Sequence, residues 1–374
     1  MVPHDQGTSV ISGGIGMAMK KTTILFIFLI LSFVGSRLKA DTKTVIAKAS
    51  SLSGKAREAY LIENAKKEGA VQLITTLRND EFSPLLNRFM ARYPFIRATA
   101  LRGLMEKNLT RVETEFLASR VTSDIWNTKA TFYDWARLRG MIVPYFSPEQ
   151  VAYPKRFRGE RDGFVGIMIS VGVPGYNRRL VKDEEAPRSY QDLLDLKWRG
   201  KISMEPNGDK SIMALIMAWG KERAFNYFRQ LLRQDLDLRR GHALLAQLLC
   251  AGEFPITFEL NAHSAAELIH KGCPIRMTPF SPIPAEPGTL AVLNGAPHPH
   301  AALLLYDWIL SREGLTELAS RGRVPTRPDV KPAYPELEDL QKSEQLRLIM
   351  PENRPVMEDA HRFIQEVILK AGGP

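Results

Sequence analysis

From Lys55 onward, segments with helical spacing alternate with short apolar runs, and that alternation leaves few folds open to the chain. A helix over Ala56 to Lys67 ends at Glu68-Gly69, and a strand from Val71 to Thr75 follows. Asn79 or Asp80 supplies the cap of a second helix, whose Phe82, Leu85, Leu86, Phe89 and Met90 fall at i, i+3, i+4, i+7 and i+8. It stops before Tyr93-Pro94, and a strand runs from Ile96 to Leu101. A third helix carries Met105, Leu109, Val112 and Phe116 on one face and leads to the short strand Ser123-Asp124-Ile125-Trp126. Two βα units in succession imply a parallel sheet with right-handed crossovers. The fold class is α/β.

A β-rich run from Phe164 to Val173 interrupts this pattern and reaches Pro174-Gly175-Tyr176. The alternation then restarts with a strand at 202–204 and helices over Lys210 to Lys221, Ala224 to Leu232 and Ala243 to Cys250. A strand from Phe254 to Phe258, a helix from His263 to His270 and a strand from Pro274 to Met277 follow. Pro279 to Gly288 is the most proline-dense stretch, and beyond it come a strand from Thr289 to Leu293 and a helix from Pro299 to Leu310. The simplest organisation is one lobe built from residues 41–170 and 285–374, with a second lobe, 171–284, inserted. Two chain crossings, near 170 and near 285, then form a hinge.

The first 40 residues stand apart. Lys20 and Lys21 precede an apolar run, Ile24 to Val34, and small residues follow at Ser36 and Ala40. That is the pattern of a cleavable secretory signal peptide, with cleavage after Leu38-Lys39-Ala40 and Met17 or Met19 as the start. A membrane span needs about 20 apolar residues, more than this run supplies. The formal charge of +10 falls to about +7 without the leader. The basic residues are dispersed among Asp and Glu with no interleaved aromatic stripe, which argues against nucleic acid as a partner. The two cysteines, Cys250 and Cys273, either pair in an oxidising compartment or remain two buried thiols.

Residues Gly175 to Pro206 carry a Tyr176-Asn177 turn and a proline-marked acidic loop. Leu193, Leu194, Leu196 and Trp198 follow, then Arg199-Gly200-Lys201 and a strand. Three further blocks occur in order: Arg111 and Glu115 before Ser123-Asp124-Ile125; Asn294 to Ala302 running into Tyr306 to Gly314; and Gly322-Arg323-Val324-Pro325-Thr326-Arg327-Pro328-Asp329-Val330. Together they resemble the periplasmic ligand-binding proteins of ABC importers, in the branch that includes the ferric-ion-binding proteins. The resemblance implies a type II two-lobed periplasmic-binding-protein architecture with a ligand cleft and a two-strand hinge. It also implies a monomer that captures a small solute and delivers it to an inner-membrane permease. Neither a cofactor nor catalytic residues are expected. Pro297 and Pro299 suit a strand-to-helix turn, and a turn role fits His298 and His300 better than metal binding. Asp307 with Arg312 suits helix-surface support.

Ligands of open α/β sheets collect outside the carboxyl ends of strands. That rule nominates Thr75, Thr76 and Arg78 after the first strand, and Asn127 and Thr128 after the third. From the second lobe it nominates Asn207, Gly208, Asp209, Lys210 and Ser211, then Glu259, Asn261 and His263; Tyr176 of the turn joins the set. Arg78 or Lys210 suits an anionic group, and Glu259 a cationic one. Asn207 or Asp209 would also serve as a helix cap, and His263 likewise. The ferric-ion-binding branch carries an adjacent tyrosine pair where this chain has Ala262 and His263. Fe(III) favours anionic oxygen donors, so an anionic or zwitterionic organic solute is expected, with ferric iron as the alternative. No Gly-x-Ser-x-Gly, His-Glu-x-x-His or P-loop spacing points to an enzyme. An enzyme or a sensor-linked receptor on the same architecture remains a competing reading.

Overall fold

The computed structural model describes residues 41–371 except Glu160; the leader assigned to 1–40 lies outside them. The chain begins with helices α1 (Thr42–Ser50) and α2 (Gly54–Glu68), strand β1 (Ala70–Thr75), α3 (Asn79–Arg92), β2 (Arg97–Arg102), α4 (Met105–Leu117) and β3 (Ile125–Lys129). β1 pairs in parallel with both β2 and β3, as two successive βα units require. The α3 amphipathic stripe buries Leu85, Leu86 and Phe89. Its N-cap is Arg78 rather than Asn79 or Asp80. The Glu81 carboxylate turns back to accept the Arg78 backbone N–H at 2.6 Å, which draws the helix start one residue earlier.

α5 (Ala130–Leu138) and β4 (Ile142–Val143) lead to β5 (Met168–Asn177). This strand starts and ends four residues beyond the apolar run that announced it. The second sheet portion uses β6 (Ile202–Met204), β7 (Asp237–Leu238), β8 (Ile256–Asn261) and β9 (Ile275–Met277). Its helices are α6 (Asp209–Trp219), α7 (Lys221–Leu232), α8 (His242–Ala251) and α9 (Ala262–His270). β10 (Ile283–Leu293) returns the chain, followed by α10 (Pro299–Leu310), α11 (Arg312–Ser320), β11 (Val324–Pro325), α12 (Glu336–Lys342), β12 (Leu346–Leu348) and α13 (Arg354–Phe363). Much of the proline-dense stretch thus lies within β10, with Pro284 and Pro287 where the ladder changes partners.

The strand order is β2-β1-β3-β10-β5-β8-β6-β7. β10 runs antiparallel to β3 from Gly288 to Val292 and to β5 from Ala285 to Gly288. β5 leaves β10 at Val171 and from Gly172 pairs with β8 instead. β5 therefore ties the two sheet portions, pairing with β10 in the first and with β8 and β9 in the second.

Each portion has its own apolar packing. α10 is apolar nearly all round and is buried against the first sheet, where Trp308 meets Phe89. In the second portion Tyr190, Phe228 and Phe258 interlock edge to face or tilted; burying one such ring stabilises by roughly 1.5–3 kcal/mol. A Cys250–Cys273 disulfide ties the end of α8 to the chain entering β9. α13, which sequence patterning did not resolve, packs on α5 and on α6, and Phe363 stacks on Phe225 of α7 at 4.2 Å. It bridges the two portions.

Candidate ligand-binding cleft

The carboxyl ends of β1 and β3 face the start of α6, the end of β8 and the first turns of α9. On the first-lobe side the expected residues turn their polar atoms inward. Thr75 Oγ1 donates to Asn127 Oδ1 at 3.1 Å, and Asn127 Nδ2 donates to the Thr289 carbonyl at 3.2 Å. Thr128 Oγ1 lies 3.7 Å from Met105 Sδ. These three are buried and shape the floor, while Thr76 is half-buried beside them. Arg78 reaches outward instead, to Asp80 at 3.1 Å and to Glu267 of α9 at 3.0 Å.

The second-lobe side is a buried polar knot. Lys210 Nζ donates to Asn261 Oδ1 at 2.9 Å, and lies 3.1 Å from Glu259 and 3.4 Å from Ser170 Oγ. Ser211 Oγ donates to the other Glu259 oxygen, and His242 Nε2 lies 3.9 Å from the oxygen that faces Lys210. Burial opposes ionisation of Glu259, but the Lys210 ammonium, then His242 and the Ser211 hydroxyl, outweigh it and hold its pKa below the usual range. Gly172 of β5 makes room for this knot: a Cβ there would lie 2.9 Å from both Glu259 Cδ and Lys210 Cε.

Neither Asn207 nor Asp209 caps α6. Gly208 occupies the cap position, and Asn207 is exposed with its N–H on Glu205 at 3.2 Å. Asp209 Oδ2 instead accepts from Lys129 Nζ at 3.0 Å and lies 2.9 Å from His361 Nε2 of α13. Burial works against its charge, yet Lys129 and His361 prevail and depress its pKa strongly; Lys129 is raised in turn, chiefly by Asp209 and Glu286 acting against desolvation. His263 does not cap α9 either. Its Nε2 faces Arg323 Nη1 at 3.3 Å, and burial plus that guanidinium keep the ring neutral. Arg323 grips buried Glu81 through two bonds, 2.8 and 2.9 Å.

Tyr176 stands apart from this constellation. It pairs with Ile256 at the opposite end of β8, and its hydroxyl donates to Asp183 at 2.8 Å. Burial, with Asp183, pushes that hydroxyl up to about 12. Sequence reasoning did not single out Lys129, Glu267, Arg323 or His361. Lys129 lies one residue beyond the nominated Asn127-Thr128, so carrying the strand-end rule one position further would have found it. Nothing in the linear sequence marks Glu267 or His361. His298 and His300 hold Asp124 and Glu68, at 3.0 and 2.6 Å, and Asp307 binds Arg57 at 2.6 Å rather than Arg312. Their blocks thus stabilise the first lobe.

Residues 124–342, which hold the nominated positions from Asn127 to His263 but not Thr75, Thr76 or Arg78, match the model of the bacterial extracellular solute-binding proteins. The chain belongs to that family. This solute-binding protein is 24% identical over 234 residues to an uncharacterized protein of Haemophilus influenzae, covering 59% of this chain and 66% of the relative. It therefore spans just under two thirds of that relative's length. Iron-bound HitA from Pseudomonas aeruginosa superposes with a TM-score of 0.70 at 18% identity, over 80% of this chain and 99% of HitA. AfuA from Actinobacillus pleuropneumoniae, with exogenous fructose-6-phosphate bound, gives 0.66 at 19% identity, over 82% of this chain and 99% of AfuA. The fold is the two-lobed type II periplasmic-binding-protein architecture; the chain crosses to the second sheet portion along β5 and returns through the segment leading into β10.

Proposed function

We propose that this protein is the periplasmic receptor of an ABC importer, exported by its N-terminal leader, and that it closes on a small anionic or zwitterionic organic solute. The lobes are residues 41–170 with 285–374, and 171–284. Binding shifts the hinge equilibrium toward the closed form, which then docks on an inner-membrane permease. The chain makes and breaks no bond. The observation that carries this reading is the cross-lobe contact between Lys129 at the end of β3 and Asp209 at the start of α6, 3.0 Å apart at the cleft floor. Charged groups on both lobes there suit a small charged guest better than a protein partner.

Ferric iron held in the dityrosine manner fits less well. Ala262 is fully buried, and His263 faces Arg323. Tyr60, Tyr93, Tyr133, Tyr145, Tyr153, Tyr176, Tyr190 and Tyr227 all have hydroxyl partners outside the cluster. The likeness to HitA, iron-bound, and to AfuA, with a sugar phosphate, is compatible with either cargo class at the level of fold.

Native mass spectrometry of protein purified from its host, paired with small-angle scattering before and after stripping, tests the reading. An organic adduct whose removal expands the molecule supports it. Recovery of a chemically altered solute would favour an enzyme, and a coloured iron-loaded protein would favour iron.

A further inference from the structure

Two ion pairs cross the cleft, and they share one polarity. Lys129 of the first lobe faces Asp209 of the second at 3.0 Å, and Arg78 of the first faces Glu267 of the second at 3.0 Å. The first lobe supplies the cation in both; elsewhere along the lobe boundary Lys221 of the second lobe meets Asp359 of the first at 2.7 Å, with the polarity reversed. Other charges of the cleft are matched within their own lobe: Arg323 by Glu81, at 2.8 Å, and Lys210 by Glu259, at 3.1 Å. Opening would part the two crossing pairs together with His361–Asp209, at 2.9 Å, and Lys221–Asp359, at 2.7 Å. At the cleft it leaves Lys129 on the first lobe facing Asp209 on the second.

The two pairs are not equivalent. Arg78 keeps Asp80 at 3.1 Å, and Glu267 keeps Lys271 at 2.6 Å, so the outer pair stays largely neutralised when the lobes part. The inner pair is more deeply buried, with side chains 19% and 14% exposed. Lys129 has Glu286 of β10, at 3.7 Å, as its other carboxylate, and Asp209 has His361, at 2.9 Å, which belongs to the first lobe and parts from it on opening. Closing on a guest that carries a single sign of charge would set a like charge beside one member of this pair and leave that member only its second partner, Glu286 or His361. A buried charge so deprived of its main partner is disfavoured. A guest with both signs replaces the pair end for end.

We infer that the solute is a zwitterion, its anionic group seated on Lys129 and its cationic group on Asp209, spanning the two lobes. The Lys129–Asp209 contact is then the internal stand-in for that guest. This inference rests on the receptor reading above and narrows it to one charge class and one orientation.

The test uses the full mature chain, stripped by unfolding and refolding, in thermal-shift and scattering titrations with three probe sets of matched length. The zwitterions are β-alanine, 4-aminobutyrate and glycine betaine; the anions are malonate, succinate and glutarate; the cations are ethylenediamine, putrescine and cadaverine. At least one zwitterion should raise Tm and compact the protein, with neither effect from the anions or cations at equal concentration. Asp209→Asn and Lys129→Met should each weaken the active zwitterion on the order of 30-fold or more, with Tm of the unliganded variants measured alongside. Response to dicarboxylates or diamines alone overturns the inference. So does silence from all three sets while a host metabolite extract still compacts the protein, an outcome that leaves the receptor reading standing. If the extract also fails, both fall together.

Discussion

Lys210 Nζ lies 3.1 Å from Glu259, and both side chains are almost wholly buried, 7% and 4% exposed, on the second-lobe wall of the cleft. The contact joins the first turn of α6 to β8, two elements that also carry Asp209 and Asn261. Removing one partner strands the other without solvent. Lys210→Met should therefore destabilise by about 3–5 kcal/mol, whereas Lys210→Met with Glu259→Gln should recover much of that loss. Urea unfolding of the two variants and the parent measures both, and equal loss in single and double variants would refute the pairing argument.

Stability should fall on acidification through the same region. Asp209 and Glu259 both have folded pKa values below their ordinary ones, so the unfolded chain binds more protons. Their contribution is complete above the unfolded carboxylate range near about 4 and is lost as pH falls through the folded values. Glu286, raised by burial, acts in the opposite sense. Denaturation midpoints taken down the acid limb should drop less steeply in Asp209→Asn than in the parent. An identical slope would show that Asp209 does not drive it.

Gly172→Val should disrupt the knot without touching either lobe's apolar core. The new side chain begins 2.9 Å from Lys210 and Glu259 carbons, and such crowding typically costs about 1–3 kcal/mol. Solute binding should be lost before folding is. Thermal melts with and without solute separate the two effects, and unchanged affinity would mean that the knot adapts.

Arg78→Ala provides the contrast. Arg78 is 38% exposed and Glu267 25%, so water screens their attraction and the stability change should stay within about 1 kcal/mol. Affinity for the solute should nonetheless fall, as calorimetric titration would record. A large stability loss with unchanged affinity would assign Arg78 to the scaffold.

Reducing Cys250–Cys273, or replacing both by Ser, releases a loop with a sequence separation of 23 residues. The expected loss is about 3 kcal/mol, read as a lower Tm under reducing conditions. Because the bridge ties the end of α8 to the chain entering β9 rather than lying among the cleft residues, affinity at a temperature where the variant is folded should be unchanged.

Much of the scaffold was legible because local patterns and burial agree. The spacing of Phe82, Leu85, Leu86 and Phe89 is the buried face of α3, and Ile125-Trp126 is the buried start of β3. The pattern misled where strands change partners. β5 extends through Tyr176 because it serves two sheet portions in turn, and β10 runs across Pro284 and Pro287 because it exchanges β12 and β5 for β3 within the first sheet. Site residues were legible to the extent that they sit at strand ends: Lys210, Ser211, Glu259 and Asn261 converge as that rule expects. Tyr176 does lie at the carboxyl end of β5, but β5 runs antiparallel to β8, which puts that end beside the start of β8 and away from the cluster, and Thr75 and Asn127 satisfy one another.

From the sequence alone follow the α/β alternation, the inserted second lobe as an expectation, the family blocks and the loop that presents Asp209 and Lys210. Those properties depend on residues a few positions apart, where periodicity and turn chemistry act. The tertiary structure decided the charge pairing. Arg323 meets Glu81, Glu267 meets Arg78, and His361 meets Asp209. Coulomb attraction depends on distance in space and on burial, and only the packing of the folded chain brings those distant segments within 4 Å.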